Sequence, residues 1–280
     1  METGAFQGFE ITRDDRGVAW IRFNTPERLN GLNGPMKRDL IETMVQAQMD
    51  DAVRVVVFTG SGRAFSAGDD ITGRRPDLGA RALMPPLGRP AQGGAAATYA
   101  GLRAVSQALN TAVRNLDKIT VAAINGFAIQ SGLSLALSCD FRLAAQSARL
   151  GSATLRFAYQ PDEGGHYLLL QHLGLGRALD FMLRNRIVGA DDALALGLVH
   201  AVVPDAELDA RTTALAHELA DGPQVAMRLL KRAIYNATEL PWERALDDIA
   251  TKTAITDHLP DAREGVAAFR EKRRARFNQG

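Results

Sequence analysis

The sequence predicts an α/β fold, and three features support this class. Apolar runs with the length and β-branched content of buried strands alternate with stretches of helical apolar spacing. Two of these runs lead directly into segments of small residues. From Asp205 onward the apolar spacing is mostly helical, which predicts a helical tail after the alternating part. We therefore expect an α/β core over residues 1–203 and a C-terminal helical region over residues 204–280.

The elements of the N-terminal half follow from periodicity and from breaker residues. A hairpin is indicated by two alternating stretches on either side of Asp14-Asp15-Arg16-Gly17. Two apolar runs are typical of buried strands, and two amphipathic stretches are typical of helices. In chain order, the predicted elements are strands at 9–12 and 18–23, a helix at 34–50, a strand at 53–58, a helix at 98–115 and a strand at 119–124.

The C-terminal half is predicted to contain two further strands and a series of helices. Pro241 and Pro260 stand at positions where a helix start tolerates proline. In chain order, we expect a helix at 135–138, a strand at 141–145, a helix beginning at 161–165, a helix at 191–196, a strand at 199–203, and helices at 210–219, 224–235, 242–253 and 261–273.

The composition argues against several classes of partner. The chain has 33 Lys and Arg against 32 Asp and Glu, a net charge of +1, so no overall field attracts nucleic acid. There is no apolar run of about 18 residues and no secretory signal, so no membrane partner is expected. The single Cys139 excludes an intramolecular disulfide and fits a reducing compartment. The five histidines lack metal-ligand spacing. We expect a cytoplasmic protein without a metal.

Gly60-Ser61-Gly62 follows a predicted strand, as the start of a dinucleotide-binding loop does. That pattern needs a third glycine at position 65, where Phe65 stands, and a later acidic residue after a second strand, which is absent. The chain also lacks a GKS or GKT phosphate loop and a G-x-S-x-G nucleophile elbow. The sequence therefore argues against these nucleotide-binding and hydrolase classes.

Two strand-to-loop segments share one design. Residues 60–68 and 125–134 each follow a predicted buried strand and are rich in Gly, Ala and Ser. Small residues leave backbone N–H groups uncovered, so two such loops can direct two donors at one point, as a developing oxyanion requires. Tight turns would produce the same pattern, and the residues alone leave both interpretations open.

Motifs along nearly the whole chain are similar, in order and with even spacing, to those of the enoyl-CoA hydratase/isomerase (crotonase) family. They are PERLNGLN at 26–33, AFSAGDDI at 64–71, ITVAAING at 119–126, SCDFRLA at 138–144, GADDA at 189–193 with GLV at 197–199, and DAREGVAAF at 261–269.

This resemblance implies a fold, a substrate and a site. The fold would be a crotonase-like spiral of ββα units whose C-terminal helices form a homotrimer or a dimer of trimers. The substrate would be an acyl-CoA thioester, with no cofactor besides the CoA it carries. The backbone N–H groups of Asp69 and Ser131 would hold the thioester oxygen as it becomes an enolate or a tetrahedral oxyanion. Substrate contacts are implied for Arg28, near the CoA phosphates, and for Ala64, Ala67, Gly68, Asp70, Gly132, Ser134 and Thr154.

Departures from the family pattern bear on the reaction. Ser134 and Thr154 stand where family hydratases have two glutamates that activate water, and neither is a base near neutral pH. Asp162 stands where the family's dienoyl-CoA isomerases and chlorobenzoyl-CoA dehalogenases have a catalytic aspartate. It is therefore a candidate proton shuttle, although a helix N-cap is the alternative. Glu163 is predicted to be a helix first-turn charge.

The expected reaction is double-bond isomerisation or an atypical hydration. Dehalogenation is disfavoured, because Thr154 also replaces the aromatic partner of the dehalogenases. The alternatives are an acyl-CoA hydrolase, a C–C-cleaving enzyme and a non-catalytic CoA-thioester-binding protein. Residues 73–94, rich in Gly, Pro, Ala and Arg, are predicted to form a lid over the acyl chain or an irregular loop. The basic residues of 270–276 are predicted to be solvated helix-end charges, and contact with the CoA phosphates is the alternative that the resemblance offers.

Overall fold

The computed structural model describes residues 1–72, 81–84 and 93–279. The segment 73–94 lies largely outside these residues, so neither interpretation of it is tested. The strands of the described part are β1 (Gly4–Phe6), β2 (Phe9–Arg13), β3 (Val18–Phe23), β4 (Val55–Gly60), β5 (Ala64–Ser66), β6 (Ile119–Ile124), β7 (Phe127–Ile129), β8 (Phe141–Ala145), β9 (Arg149–Gly151), β10 (Ile187–Gly189) and β11 (Ala201–Val203).

Helices follow most of the strand pairs and form the C-terminal part of the chain. A π-helical turn over Leu102–Ser106 joins the second and third of them. They are α1 (Gly34–Met49), α2 (Ala95–Gly101), α3 (Gln107–Asn115), α4 (Ser131–Ser138), α5 (Gly165–Leu173), α6 (Leu175–Leu183), α7 (Ala190–Ala195), α8 (Leu208–Asp221), α9 (Gln224–Ala237), α10 (Trp242–Asp257) and α11 (Pro260–Glu271).

A seven-stranded sheet in the order β1-β2-β3-β4-β6-β8-β11 forms the centre of the fold. The first three strands are antiparallel, and β3 to β11 are parallel. All residues of β4 and β6 are buried, as expected of parallel strands covered on both faces. Val56 and Phe58 of β4 enter one hydrophobic cluster, whereas Val55 and Val57 enter the other. Alternate residues of β4 therefore pack into the hydrophobic clusters on the two opposite faces of the sheet.

A second, four-stranded sheet has the order β10-β9-β7-β5. Strands β5, β7 and β9 are parallel neighbours, and each follows a strand of the large sheet by a few residues. The chain thus repeats a long strand, a short strand and a helical segment, which confirms the spiral of ββα units. The sequence analysis did not predict this sheet, because each of its strands has three residues and is too short to show a period.

Several predicted boundaries are shifted. The strand predicted at 53–58 lies at Val55–Gly60, and the one predicted at 199–203 begins at Ala201. The helix predicted at 135–138 begins four residues earlier, at Ser131, so the end of the second loop is helical. The hairpin, the 34–50 helix and the four helices of the tail are confirmed.

The C-terminal helices differ in what they cover. Helix α8 packs on one face of the large sheet through Leu208, Ala216 and Ala220. Helices α9 to α11 instead leave large apolar side chains exposed, among them Leu230, Ile234, Trp242 and Phe269. Within the described residues, no helix combines the length and apolar character needed to cross a membrane.

Candidate active site

The parallel pairing of β5 and β7 brings the two small-residue loops together. Ala64 pairs with Phe127 and Ser66 with Ala128, so both strands end at the same edge of the small sheet. Gly68 lies directly against the second loop: a Cβ there would be 3.0 Å from the Ile129 carbonyl oxygen and 3.7 Å from the Ser131 nitrogen. Its φ of +99° also favours glycine.

The N–H group of Asp69 points out of the first loop. On either side of it, the Gly68 carbonyl accepts from the Leu32 N–H at 2.8 Å, and the Asp70 N–H donates to the Leu32 carbonyl at 2.9 Å. Because alternate groups of an extended chain face opposite sides, the Asp69 N–H faces away from Leu32. The described part of the chain offers it no hydrogen-bond acceptor.

The N–H group of Ser131 opens helix α4. The first N–H groups of a helix have no intrahelical acceptor, so this donor is available to a ligand. Ser131 itself is helical, which removes the conformational objection to serine here. The turn is made by Gln130, which has φ +49° and ψ −111°. Two N–H groups without an acceptor among the described residues therefore lie on adjacent loops, an arrangement able to stabilise negative charge on one oxygen.

The side chain of Asp69 is held by Lys37 of α1. The Lys37 Nζ lies 2.7 Å from the Asp69 Oδ1 and donates to the Ser106 hydroxyl at 3.1 Å. Lys37 is 4% exposed. This ion pair places one positive and one negative charge at the edge of the site, a feature that the sequence analysis missed.

Asp162 and Glu163 precede α5 rather than belonging to it. Helix α5 begins at Gly165, with Gly164 as its cap residue and without a side-chain capping hydrogen bond. The cap interpretation of Asp162 is therefore wrong, and so is the prediction that Glu163 is a first-turn charge. Side-chain amides of α3 hold this segment: Gln107 donates to the Asp162 carbonyl at 3.0 Å and Asn110 to the Glu163 carbonyl at 2.9 Å.

Glu163 is buried and its carboxylate accepts several hydrogen bonds. Oε1 accepts from the Ser134 hydroxyl at 2.6 Å and from the Gln130 side-chain amide at 3.0 Å, while Oε2 accepts from the Asp162 N–H at 2.9 Å. Gly165 must be glycine, because a Cβ there would clash with the Ser134 hydroxyl. A carboxylate thus contacts Ser134, although the sequence shows no acidic residue at that position.

The surroundings of the Asp162 carboxyl raise its pKa. Burial is the largest cause that raises its pKa to about 6, followed by its hydrogen bond to the Glu163 carboxyl and the negative charges of Glu163 and Asp69. The positive charge of Lys37 acts in the opposite direction. A carboxyl with such a pKa can both take up and return a proton at physiological pH.

The remaining predicted residues divide into two groups. Arg28 is paired with Asp70, with 2.8 Å between Nη1 and Oδ2, and hydrogen bonds from Thr72 and Arg28 lower the pKa of Asp70. Thr154 lies in a 3-10 turn, and within the described residues its buried hydroxyl has no hydrogen-bond partner. No hydrogen bond in the described part joins Thr154 to Asp162 or Ser131.

Ala64, Ala67 and Gly132 act through the backbone of the loops. The fully buried Ala64 accepts at its carbonyl from the side-chain amides of Asn30 at 2.7 Å and Asn125 at 3.2 Å. The Ala67 N–H donates to the Leu29 carbonyl at 2.9 Å. A Cβ on Gly132 would clash with the Ser66 carbonyl, so glycine here permits the contact between α4 and β5.

Comparison with known proteins identifies the family. The family model described as enoyl-CoA hydratase/isomerase matches residues 13–82 and 87–280. The chain therefore belongs to the enoyl-CoA hydratase/isomerase family, as the motifs predict.

Relatives within the family differ in the reactions their names state. The chain is 34% identical over 278 residues to 1,2-epoxyphenylacetyl-CoA isomerase of Escherichia coli, covering 96% of this chain and 98% of that protein. It is 29% identical over 274 residues to crotonyl-CoA hydratase of Syntrophomonas wolfei, covering 98% of each. The crystal structure of an enoyl-CoA hydratase from Bacillus anthracis is similar with a TM-score of 0.85 and 30% identity, over 98% of this chain and 100% of that one.

Proposed function

We propose that this protein is an acyl-CoA enzyme that shifts a carbon–carbon double bond along the acyl chain. The observation that carries the proposal is the pairing of one titratable carboxyl, Asp162, with the two unpaired N–H groups of adjacent loops. The pKa of Asp162, raised to about 6, suits a group that exchanges protons near neutral pH. The relationship to an isomerase and a hydratase of CoA thioesters supports the substrate class.

In this proposal the thioester oxygen accepts hydrogen bonds from the N–H groups of Asp69 and Ser131. Removal of a proton from the acyl chain moves negative charge onto that oxygen, so both bonds strengthen as the enolate forms. One such donor is typically responsible for about 10²–10³ in rate. The N-terminal end of α4 adds a favourable dipole at the same place.

Asp162 carries the proton. Its carboxylate takes a proton from C2 of a 3-enoyl thioester, and the electron pair of the broken C–H bond moves onto the thioester oxygen to give a dienolate. The carboxyl then returns the proton to C4, which leaves the double bond between C2 and C3. One C–H bond breaks and one forms, no electrons leave the substrate, and no cofactor other than the CoA of the substrate is required.

A two-glutamate hydration is not supported by the residues present. Ser134 and Thr154 carry hydroxyl groups, which are not bases near neutral pH. Glu163 is nearby, but its oxygens already accept from Ser134, Gln130 and the Asp162 N–H. Atypical hydration, with Asp162 alone activating water, is the second candidate. The 29% sequence identity to crotonyl-CoA hydratase of Syntrophomonas wolfei favours it.

The test is a panel of 2-enoyl-, 3-enoyl-, dienoyl- and cyclic oxoacyl-CoA thioesters, assayed with the wild type and with Asp162→Asn. We expect 3-enoyl and 2-enoyl thioesters to interconvert, and the substitution to lower turnover about 100-fold or more. Addition of water to the 2-enoyl thioester would favour atypical hydration instead. Release of free CoA or cleavage of the cyclic substrate would indicate the hydrolytic or C–C-cleaving alternatives. Tight binding without turnover would indicate a binding protein, and turnover unchanged in Asp162→Asn would contradict the shuttle.

We further propose that the protein assembles as a homotrimer or a dimer of trimers in the cytoplasm, with Arg28 near the CoA phosphates. The exposed apolar side chains of α9 to α11 support the assembly, because such a surface is costly to leave in water. Size-exclusion chromatography with light scattering gives the subunit number, and a monomer at micromolar concentration would contradict it.

A further inference from the structure

Glu163 is a buried carboxylate with no part in the proton transfer proposed above. It is 4% exposed, and burying a charge is costly unless hydrogen bonds compensate. Here the Ser134 hydroxyl, the Gln130 amide and the Asp162 N–H donate to its two oxygens. A carboxylate occupied in this way is poorly placed to act on substrate but well placed to fix its neighbours.

Glu163 connects the two parts of the site. On one side it holds the side-chain amide of Gln130, whose Oε1 also accepts from the Ser152 hydroxyl at 2.9 Å. Gln130 makes the turn before the Ser131 donor at a positive φ that favours glycine, so its side-chain bonds help to keep that turn. On the other side the Glu163 Oε2 accepts from the Asp162 N–H at 2.9 Å, and the negative charge of Glu163 raises the pKa of the Asp162 carboxyl. A displacement of Glu163 would therefore move the donor and the proton shuttle together.

We propose that Glu163 is a positioning residue that orients Asp162 and the Ser131 loop and whose negative charge sets the pH range in which Asp162 holds its proton. This inference rests on the role proposed for Asp162. A negative charge next to a carboxyl disfavours ionisation of that carboxyl. The Ser134 hydroxyl and the Gln130 amide hold the Glu163 side chain in place beside Asp162.

The charged groups that face Asp162 come from three parts of the chain. Glu163 lies beside it, Asp69 comes from the first loop and Lys37 from α1. The negative charges raise the pKa of Asp162 and Lys37 lowers it. Helices α3 and α4 contribute the neutral side chains of Gln107 and Ser134 in the described part of the site. Of these three residues, Glu163 is the one that also hydrogen-bonds the backbone N–H of Asp162.

The pH dependence of kcat/KM tests the effect of the Glu163 charge on Asp162. In Glu163→Gln the neighbouring charge is removed while burial remains, so the acidic limb of the profile should move down by about one pH unit. Glu207→Gln, the same change at an exposed position, is the matched control and should keep the wild-type profile. A uniform loss of activity with an unmoved acidic limb would show a merely structural role and overturn the proposal.

Ser134→Ala provides an independent test with the opposite sign. Loss of the 2.6 Å hydrogen bond leaves the negative charge of Glu163 less compensated by donors, so this charge should act more strongly on Asp162. The acidic limb should then move to higher pH by less than about one unit. If circular dichroism shows that Glu163→Gln does not fold, Ser134→Ala still tests the proposed role of Glu163. An unmoved limb in a folded Ser134→Ala protein would overturn the proposal.

A titration without substrate separates this inference from the proposed function. The carboxyl carbons of ¹³C-labelled aspartate are followed by NMR, and Asp162 is assigned by the signal lost in Asp162→Asn. Its midpoint should move down in Glu163→Gln and up in Ser134→Ala, whether or not the enzyme turns over. Full activity of Asp162→Asn would contradict the proposed function alone. An unchanged midpoint of Asp162 in both Glu163→Gln and Ser134→Ala would contradict the proposed role of Glu163 alone.

Discussion

The two loops of the site have the same origin but are held in different ways. Each follows a long parallel strand and a three-residue strand, and each ends in an N–H group that has no acceptor in residues 1–72, 81–84 and 93–279. The first loop is fixed by backbone contacts, namely its hydrogen bonds to Leu32 and the positive φ of Gly68. The second makes its turn at a residue with a side chain, Gln130, and that side chain bonds to Glu163 and Ser152.

This difference teaches how a backbone donor can be positioned without glycine. A left-handed φ at Gln130 is unfavourable, of the order of 1 kcal/mol, and two side-chain hydrogen bonds of similar size offset it. The first loop therefore depends on the absence of a side chain, and the second depends on its presence. Addition of a side chain at Gly68 should therefore disturb the first loop, whereas removal of the side chain of Gln130 should disturb the second.

Gly68→Ala should have the largest effect. The new Cβ forces an unfavourable φ and lies 3.0 Å from the Ile129 carbonyl, so the Asp69 N–H should leave its position. We expect kcat/KM to fall about 100-fold or more, the typical consequence of losing one oxyanion donor. Gly4→Ala is the control, because Gly4 also has a positive φ but nothing within 4 Å of the new Cβ. Similar losses in both variants would show that strain alone is responsible.

Gln130→Ala should have a smaller effect on the second loop. It removes both side-chain hydrogen bonds but leaves α4 and the backbone contacts of the loop in place. We expect kcat/KM to fall about tenfold, as for the loss of a hydrogen bond to a charged group. The exposed Gln171→Ala is the control and should keep wild-type kinetics. Wild-type activity in Gln130→Ala would mean that the backbone alone fixes the second loop.

The sequence allowed the first loop to be predicted more fully than the second. Long apolar strands and the small residues around Gly68 are local signals, and the family motifs assign the donor at Asp69. Ser131 was likewise assigned from the motifs, but α4 was predicted to begin four residues too late. A run of small residues with leucines, such as Ser131–Leu135, shows no helical period that would reveal its first turn.

Glu163 could not be found from the sequence for a different reason. Its donors are Gln130 and Ser134, which lie 33 and 29 residues away along the chain and meet it only through the packing of α4 against α5. An acidic residue before a helix has the usual pattern of a first-turn charge, and this local pattern suggested the wrong interpretation. The signal that could have pointed to it is the loss of acidic residues at both hydratase positions, since a buried site that needs a carboxylate can take one from a neighbouring position.

Lys37→Met tests how a charge beside the first loop acts on Asp162 of the site. Lys37 pairs with Asp69 and lowers the pKa of Asp162, so its removal should raise that pKa above about 6. Asp162 acts as a base only when ionised, so the acidic limb of kcat/KM should move to higher pH, by less than about one unit. The exposed Lys272→Met is the control. A shift to lower pH would mean that Lys37 does not act on Asp162 through its charge.

Ser152→Ala should have the smallest effect and tests how the second loop is held. The Ser152 hydroxyl donates to the Gln130 Oε1 and has no direct contact with Asp162 or Glu163 in the described part of the chain. Loss of one neutral hydrogen bond should lower kcat/KM about two- to fivefold. If Ser152 acts only through the Gln130 side chain, the substitution should have no further effect in a Gln130→Ala background, because the bond is already absent there. Equal losses in both backgrounds would show that Ser152 acts by another route, and would leave Glu163 as the side chain that holds the second loop.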